Sequence, residues 1–163
     1  MPDTLSCGGD PAAFWEELQQ RARTGNPLTL LDVQVLGPQE ASRVLEFFLH
    51  EPGVTSPIEP FATLLGAMIQ KRELALWEVA SSRTSAARSR EAFLRELPQT
   101  NPQCLACACF PMCQGYGAWA GSCDTWRVIL LGLASAAREL TRLRRQHLRP
   151  SEPRNSDDPP RSS

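Results

Sequence analysis

Cys104-Leu-Ala-Cys107-Ala-Cys109-Phe-Pro-Met-Cys113-Gln-Gly-Tyr-Gly-Ala-Trp-Ala-Gly-Ser-Cys123 is the stretch on which the reading of this chain turns. It gathers five of the six cysteines into one loop and runs directly into Asp124-Thr125, a helix start. From there Trp126, Ile129, Leu130, Leu133, Ala137, Leu140 and Leu143 recur at i, i+3 and i+4 spacing, which predicts an amphipathic helix that clamps the loop onto a core. The opening residues Met1 to Gly9 lack the basic and apolar regions of a secretory leader, so a cytoplasmic location is expected. In that compartment thiols stay reduced, and a cluster this dense is expected to hold a metal or an iron–sulfur centre rather than disulfides.

Upstream of the loop the pattern is helical almost throughout. A helix is predicted through Ala87, Phe93, Leu94 and Leu97 to Pro98, after a break at Ser81 to Thr84. Before it, Ser56-Pro57 opens a long third helix carrying Ile58, Phe61, Leu64, Leu65, Met68, Ile69, Leu76, Trp77 and Val79, expected as the central core element. A second helix starts at Gly37-Pro38 and runs through Val44, Leu45, Phe48 and Leu49 to a stop at Glu51-Pro52-Gly53. The first starts at Asp10-Pro11, with Phe14, Trp15, Leu18 and Ala22 on one face. Between these two, Val33 and Val35 alternate with Asp32 and Gln34, but a lone strand has no partner, so Leu28 to Leu36 reads as an extended connector. The expected fold is therefore mainly α. It is a small helical bundle with a cysteine-rich metal- or cluster-binding loop before the last helix. Residues 1–9 are expected as a flexible N-terminus, 10–147 as a single helical domain with the cysteine loop at 104–123, and 148–163 as a disordered tail.

At 163 residues and 42% apolar composition the chain can build one core, and its net charge of -1 gives no global attraction to nucleic acid or an anionic membrane. The most apolar run, Val128 to Leu133, is far shorter than the ~20 residues of a membrane span. A basic cluster, Arg138, Arg142, Arg144, Arg145 and Arg149, is partly balanced by Glu139 and reads first as a cap on the last helix, with a weak anionic-partner site as the sharper alternative. His50 and His147 fall at helix ends, where helix electrostatics accounts for them. Cys7 reads as an incidental surface thiol. Glu16, Glu17, Glu46, Glu73 and Glu78 read as solvated helix faces.

The loop itself offers ligands in a definite order. A Cys-x2-Cys turn brings Cys104 and Cys107 to one centre, and Cys113 returns five residues later as the third ligand. Cys123 is the fourth, with Cys109 as its competitor. Gly115, Gly117 and Gly121 let the chain wrap closely, and the start of the last helix favours a thiolate at Cys123. An apolar wall of Phe110, Pro111, Met112, Tyr116, Trp119 and Trp126 tilts the choice toward a 4Fe-4S cluster, with zinc as the alternative.

Over about residues 93–126 the chain resembles the auxiliary-cluster (SPASM-like) C-terminal region of radical S-adenosylmethionine enzymes. The resemblance rests on a helix ending Phe93-Leu-Arg-Glu-Leu-Pro98, the Cys-x2-Cys-x5-Cys core at Cys104, Cys107 and Cys113, and Gln114-Gly-Tyr-Gly117. It implies a 4Fe-4S cluster in an electron-transfer or partner role. The family's next cysteine falls at Gly117, so Cys123 has to substitute, and the Cys-x3-Cys-x2-Cys signature of the catalytic cluster is absent because Tyr116 holds its third position. The expectation is a small accessory protein or detached auxiliary domain that serves another enzyme and performs no radical chemistry alone. The alternative is a zinc-stabilised helical adaptor that binds a protein and does no catalysis.

Overall fold

The computed structural model describes residues 3–80 and 86–148. It is mainly α, with one small sheet that the sequence did not announce. Strands β1 (Asp3–Ser6), β2 (Leu28–Leu31) and β3 (Ile58–Glu59) lie in the order β1-β2-β3, all parallel. The register sets Leu5 beside Leu30 and Leu28 beside Ile58. Parallel neighbours need a crossover, and each is supplied by a helix: α1 (Pro11–Arg21) between the first two strands, α2 (Pro38–His50) between the second and third.

Four expectations change here. Residues 3–6, expected within a flexible terminus, are an ordered strand, and Cys7, expected on the surface, is buried with its N–H donating to the Leu31 carbonyl at 2.9 Å. The run from Leu28 is a strand only as far as Leu31. Asp32 then takes a left-handed φ of 59° and Val33–Val35 close a 3-10 turn. The long third helix is three pieces: Ile58 is strand, α3 covers Phe61–Gln70, and α4 covers Leu76–Val79. Lys71 ends α3 at φ 53°, a left-handed conformation that stops a helix. The expected break at Ser81 to Thr84 and the tail beyond Leu148 lie outside the described residues.

The starts of the first two helices are as the sequence implies. Asp10 accepts from the Ala13 N–H at 2.9 Å with Pro11 in the first turn, and Gly37 precedes Pro38 at the start of α2. Downstream, α5 (Ala86–Thr100) continues two residues past Pro98, its expected end, and two single turns follow: α6 (Phe110–Cys113) and α7 (Tyr116–Trp119). The last helix, α8 (Cys123–His147), packs chiefly on α2 and α3 through buried Trp126, Ile129, Leu130, Leu133 and Ala137. Each fully buried aliphatic side chain contributes about 2 kcal/mol. Leu140 and Leu143 continue the stripe in sequence but stand exposed. At the other end of α8, the buried Thr125 hydroxyl donates to the Leu36 carbonyl at 2.6 Å and ties the helix start to the turn after β2.

Candidate metal centre

The cysteine loop is a chain of short turns, each fixed by backbone hydrogen bonds. Cys104 closes a 3-10 turn from Pro102, the Cys107 N–H donates to the Cys104 carbonyl at 3.1 Å, and Cys109 leads α6, where the Cys113 N–H returns to its carbonyl at 2.8 Å. Gln114 and Gly115 then take left-handed φ values of 45° and 79°, and this reversal turns α7 back on α6. At Gly115 the reversal needs glycine, since a Cβ would also lie 2.9 Å from Phe93.

These turns bring all five loop thiols to one cavity of about 200 Å³. Cys104, Cys107, Cys109, Cys113 and Cys123 line it together with Phe110 and Arg127. Cys104 and Cys109 are buried, Cys107 and Cys113 are half-buried, and Cys123 is exposed, so the cavity meets solvent at the start of α8. Among the described residues no three His, Cys, Asp or Glu side chains close on a point that could hold a metal ion. The five thiols therefore share a cavity, but the expected four-thiolate ligand group is not formed among the described residues.

Burial raises the pKa values of Cys104, Cys109, Cys113 and Cys123 first, and neighbouring sulfurs raise them further. Cys109 is pushed up to about 11 by burial and by Cys107, with which its thiol is also hydrogen-bonded. Cys104 and Cys123 move up for the same two reasons, and Arg127 offsets part of the rise at Cys109 and Cys123. Cys113 is raised by burial against the pull of the Gly117 and Gly115 amides, the former donating to its Sγ at 3.4 Å. Backbone donors aimed at a sulfur are the contacts that stabilise thiolate ligands and tune iron–sulfur potentials.

The aromatic residues have a different job from the one expected. Only Phe110 of the anticipated wall lines the cavity. Tyr116, Trp119 and Trp126 instead face Trp77, directly or through one another: Trp77 stands 5.2 Å from Tyr116 and 5.0 Å from Trp119, and Tyr116 stands 5.8 Å from Trp126. Trp77 Nε1 donates to the Gln114 carbonyl at 3.0 Å, the Tyr116 hydroxyl donates to the Ala80 carbonyl at 3.1 Å, and Arg90 reaches the Gln114 side-chain oxygen at 2.5 Å. The loop is pinned from behind by α4 and α5, while its thiols face the other way. Arg90 and Arg127 were not singled out from sequence, and Trp77 was read only as part of a core helix. Of the two arginines only Arg127 left a signal, one helical turn beyond Cys123.

His50 and His147 fall in the last turns of α2 and α8, away from the cavity lining, and Cys7 lines a separate cavity with Phe14, Trp15 and Arg43. No helix among the described residues is long and apolar enough to cross a membrane. Comparison of the chain with protein-family models, with curated proteins and with solved structures finds no significant match.

Proposed function

We propose that this chain is a small iron–sulfur accessory protein, holding a 4Fe-4S cluster on Cys104, Cys107, Cys113 and Cys123, and serving a partner enzyme in the cytoplasm by electron transfer or substrate positioning. The observation that carries this reading is that all five loop thiols line one cavity of about 200 Å³. A cubane presents a separate iron to each cysteine, so its ligands stand apart around a bulkier body. Gly117 supports Cys123 as fourth ligand: a Cβ there would lie 3.1 Å from the Cys123 Cα, so Cys123 enters beside the place a cysteine at 117 would occupy. The bound cluster would supply one-electron chemistry. The chain's own residues would orient the sulfurs, donate hydrogen bonds to Cys113 and leave the Cys123 and Arg127 edge open to a partner.

The test is iron and acid-labile sulfide content, with a visible spectrum, on protein purified without oxygen and reconstituted with iron and sulfide. Matched iron and sulfide with a brown chromophore is the expected result. A colourless protein overturns the reading, and tightly bound zinc without sulfide would replace it with the helical adaptor.

A further inference from the structure

On the face of the molecule formed by the end of α3 and the C-terminal half of α8 lies an open groove of about 680 Å³. Its floor is apolar, from Met68, Ile69, Ala134 and Ala137, and its rim carries Lys71, Arg138, Arg142 and Arg145. Arg142 is neutralised in place by a bidentate pair with Glu139, at 2.5 and 2.9 Å. Lys71, Arg138 and Arg145 have no ion pair among the described residues, and all three are exposed. Three cations without an ion pair thus stand around one apolar-floored groove in a chain whose net charge is only -1, which makes the groove complementary to an anionic ligand.

From this we infer that the groove is the docking site for an acidic amphipathic helix of a partner protein. Charge sets the sign of the occupant, and the apolar floor sets its kind, since Met68 and Ile69 would gain nothing from a phosphate backbone. Length agrees as well. The α8 wall runs from Ala134 to Gln146, ~18 Å at ~1.5 Å per residue, which matches about three turns of a docked helix. Among the described residues, no Trp, Tyr or Phe lines the groove to stack a nucleic-acid base. The inference deepens the accessory-protein reading by naming the surface the partner would use, and it rests on that reading only for the existence of a partner. It makes no use of the cysteine centre.

The experiment uses the full chain and a fluorescein-labelled helical peptide of about twelve residues, with glutamates along one face and leucines along the other. A glutamine-for-glutamate copy and a short DNA duplex serve as comparison probes. The acidic peptide is expected to bind at low salt, to weaken as salt rises, and to slow acylation of Lys71, the only lysine in the chain. The triple variant Lys71→Glu, Arg138→Glu, Arg145→Glu is expected to lose about tenfold or more in affinity. Lys71→Gly is expected to lose part of it while keeping the fold, because glycine suits the left-handed position that Lys71 occupies. No peptide binding at low salt, binding equal for the glutamine copy, or binding unchanged in the triple variant overturns the inference. Tighter capture of the DNA duplex through the same three cations overturns it in favour of a nucleic acid. Each result is read without iron or sulfide, so failure here is distinct from failure of the cluster reading.

Discussion

Gly117 lies directly against Cys123: a Cβ on the glycine would stand 3.1 Å from the Cys123 Cα and 3.6 Å from the Cys113 Sγ. Its φ is not left-handed, so what forbids a side chain is space rather than backbone strain. Gly117→Ala is expected to push the start of α8 away from α7, costing about 1–3 kcal/mol of stability and lowering the iron retained per chain. Thermal melting and iron analysis on the same preparation check this. An alanine variant that melts and loads like the parent would mean that the close approach has no part in the site.

Serine replacements separate the four proposed ligands from the fifth thiol. Cys104→Ser, Cys107→Ser, Cys113→Ser and Cys123→Ser are each expected to lose most of the chromophore, and Cys109→Ser to keep it. Iron, sulfide and visible absorbance after anaerobic reconstitution provide the readout. The reverse pattern, with Cys123→Ser loading and Cys109→Ser failing, would move the fourth ligand to Cys109.

Among the described residues, Arg127 is the one cation that lines the cysteine cavity. A positive charge beside a cluster favours the form with the extra electron, so Arg127→Gln is expected to make the midpoint potential more negative, as read by a spectroelectrochemical titration. In metal-free protein the same change removes a charge that holds down Cys109 and Cys123, and alkylation of Cys123 should then require higher pH. An unchanged potential together with an unchanged alkylation profile would show the guanidinium to be electrostatically remote.

Alkaline pH is expected to weaken the metal-free fold. Burial lifts Cys7 to about 12 and Cys109 to about 11, from 9.0 for an ordinary thiol. The folded state therefore keeps protons that the unfolded chain releases. That contribution is complete below pH 9 and is lost as pH rises through about 11 and 12. The melting temperature of reduced apo protein should fall across this window, and Cys7→Ala should flatten the fall. A decline of the same steepness in Cys7→Ala would assign it to other groups.

Trp77 joins α4 to the loop through its hydrogen bond to the Gln114 carbonyl and its contacts with Tyr116 and Trp119. Trp77→Phe leaves a ring but removes the donor, and is expected to cost about 1–3 kcal/mol with faster amide exchange across residues 104–123. Exchange that rises uniformly over the whole molecule would mean global destabilisation without a specific role in holding the loop.

The parts of this fold legible in sequence are those whose signal is local. Asp10-Pro11 and Gly37-Pro38 mark the helix starts they mark in space, and the Trp126 to Ala137 stripe is buried as its spacing requires. The sheet was illegible because its strands have four, four and two residues and pair in parallel across long crossovers, so no strand carries enough alternation to be read. The split of the third helix was hidden for a related reason. Ile58, Phe61, Leu64, Leu76 and Trp77 are all buried, and apolar spacing alone does not reveal that Lys71 turns left-handed between them.

By itself the sequence determined that five thiols share one short loop, that the loop ends on an amphipathic helix, and that the chain is mainly α. Each of these follows from neighbours within a turn or two. Tertiary structure alone decided that the thiols face one cavity while Tyr116 and Trp119 face Trp77, that Arg127 is the thiols' companion, and that Lys71 meets Arg138 and Arg145 across a groove. Trp77 and the loop, and Lys71 and α8, are joined only when α4 packs against α6 and α3 against α8, a non-local burial of apolar surface that local spacing does not encode.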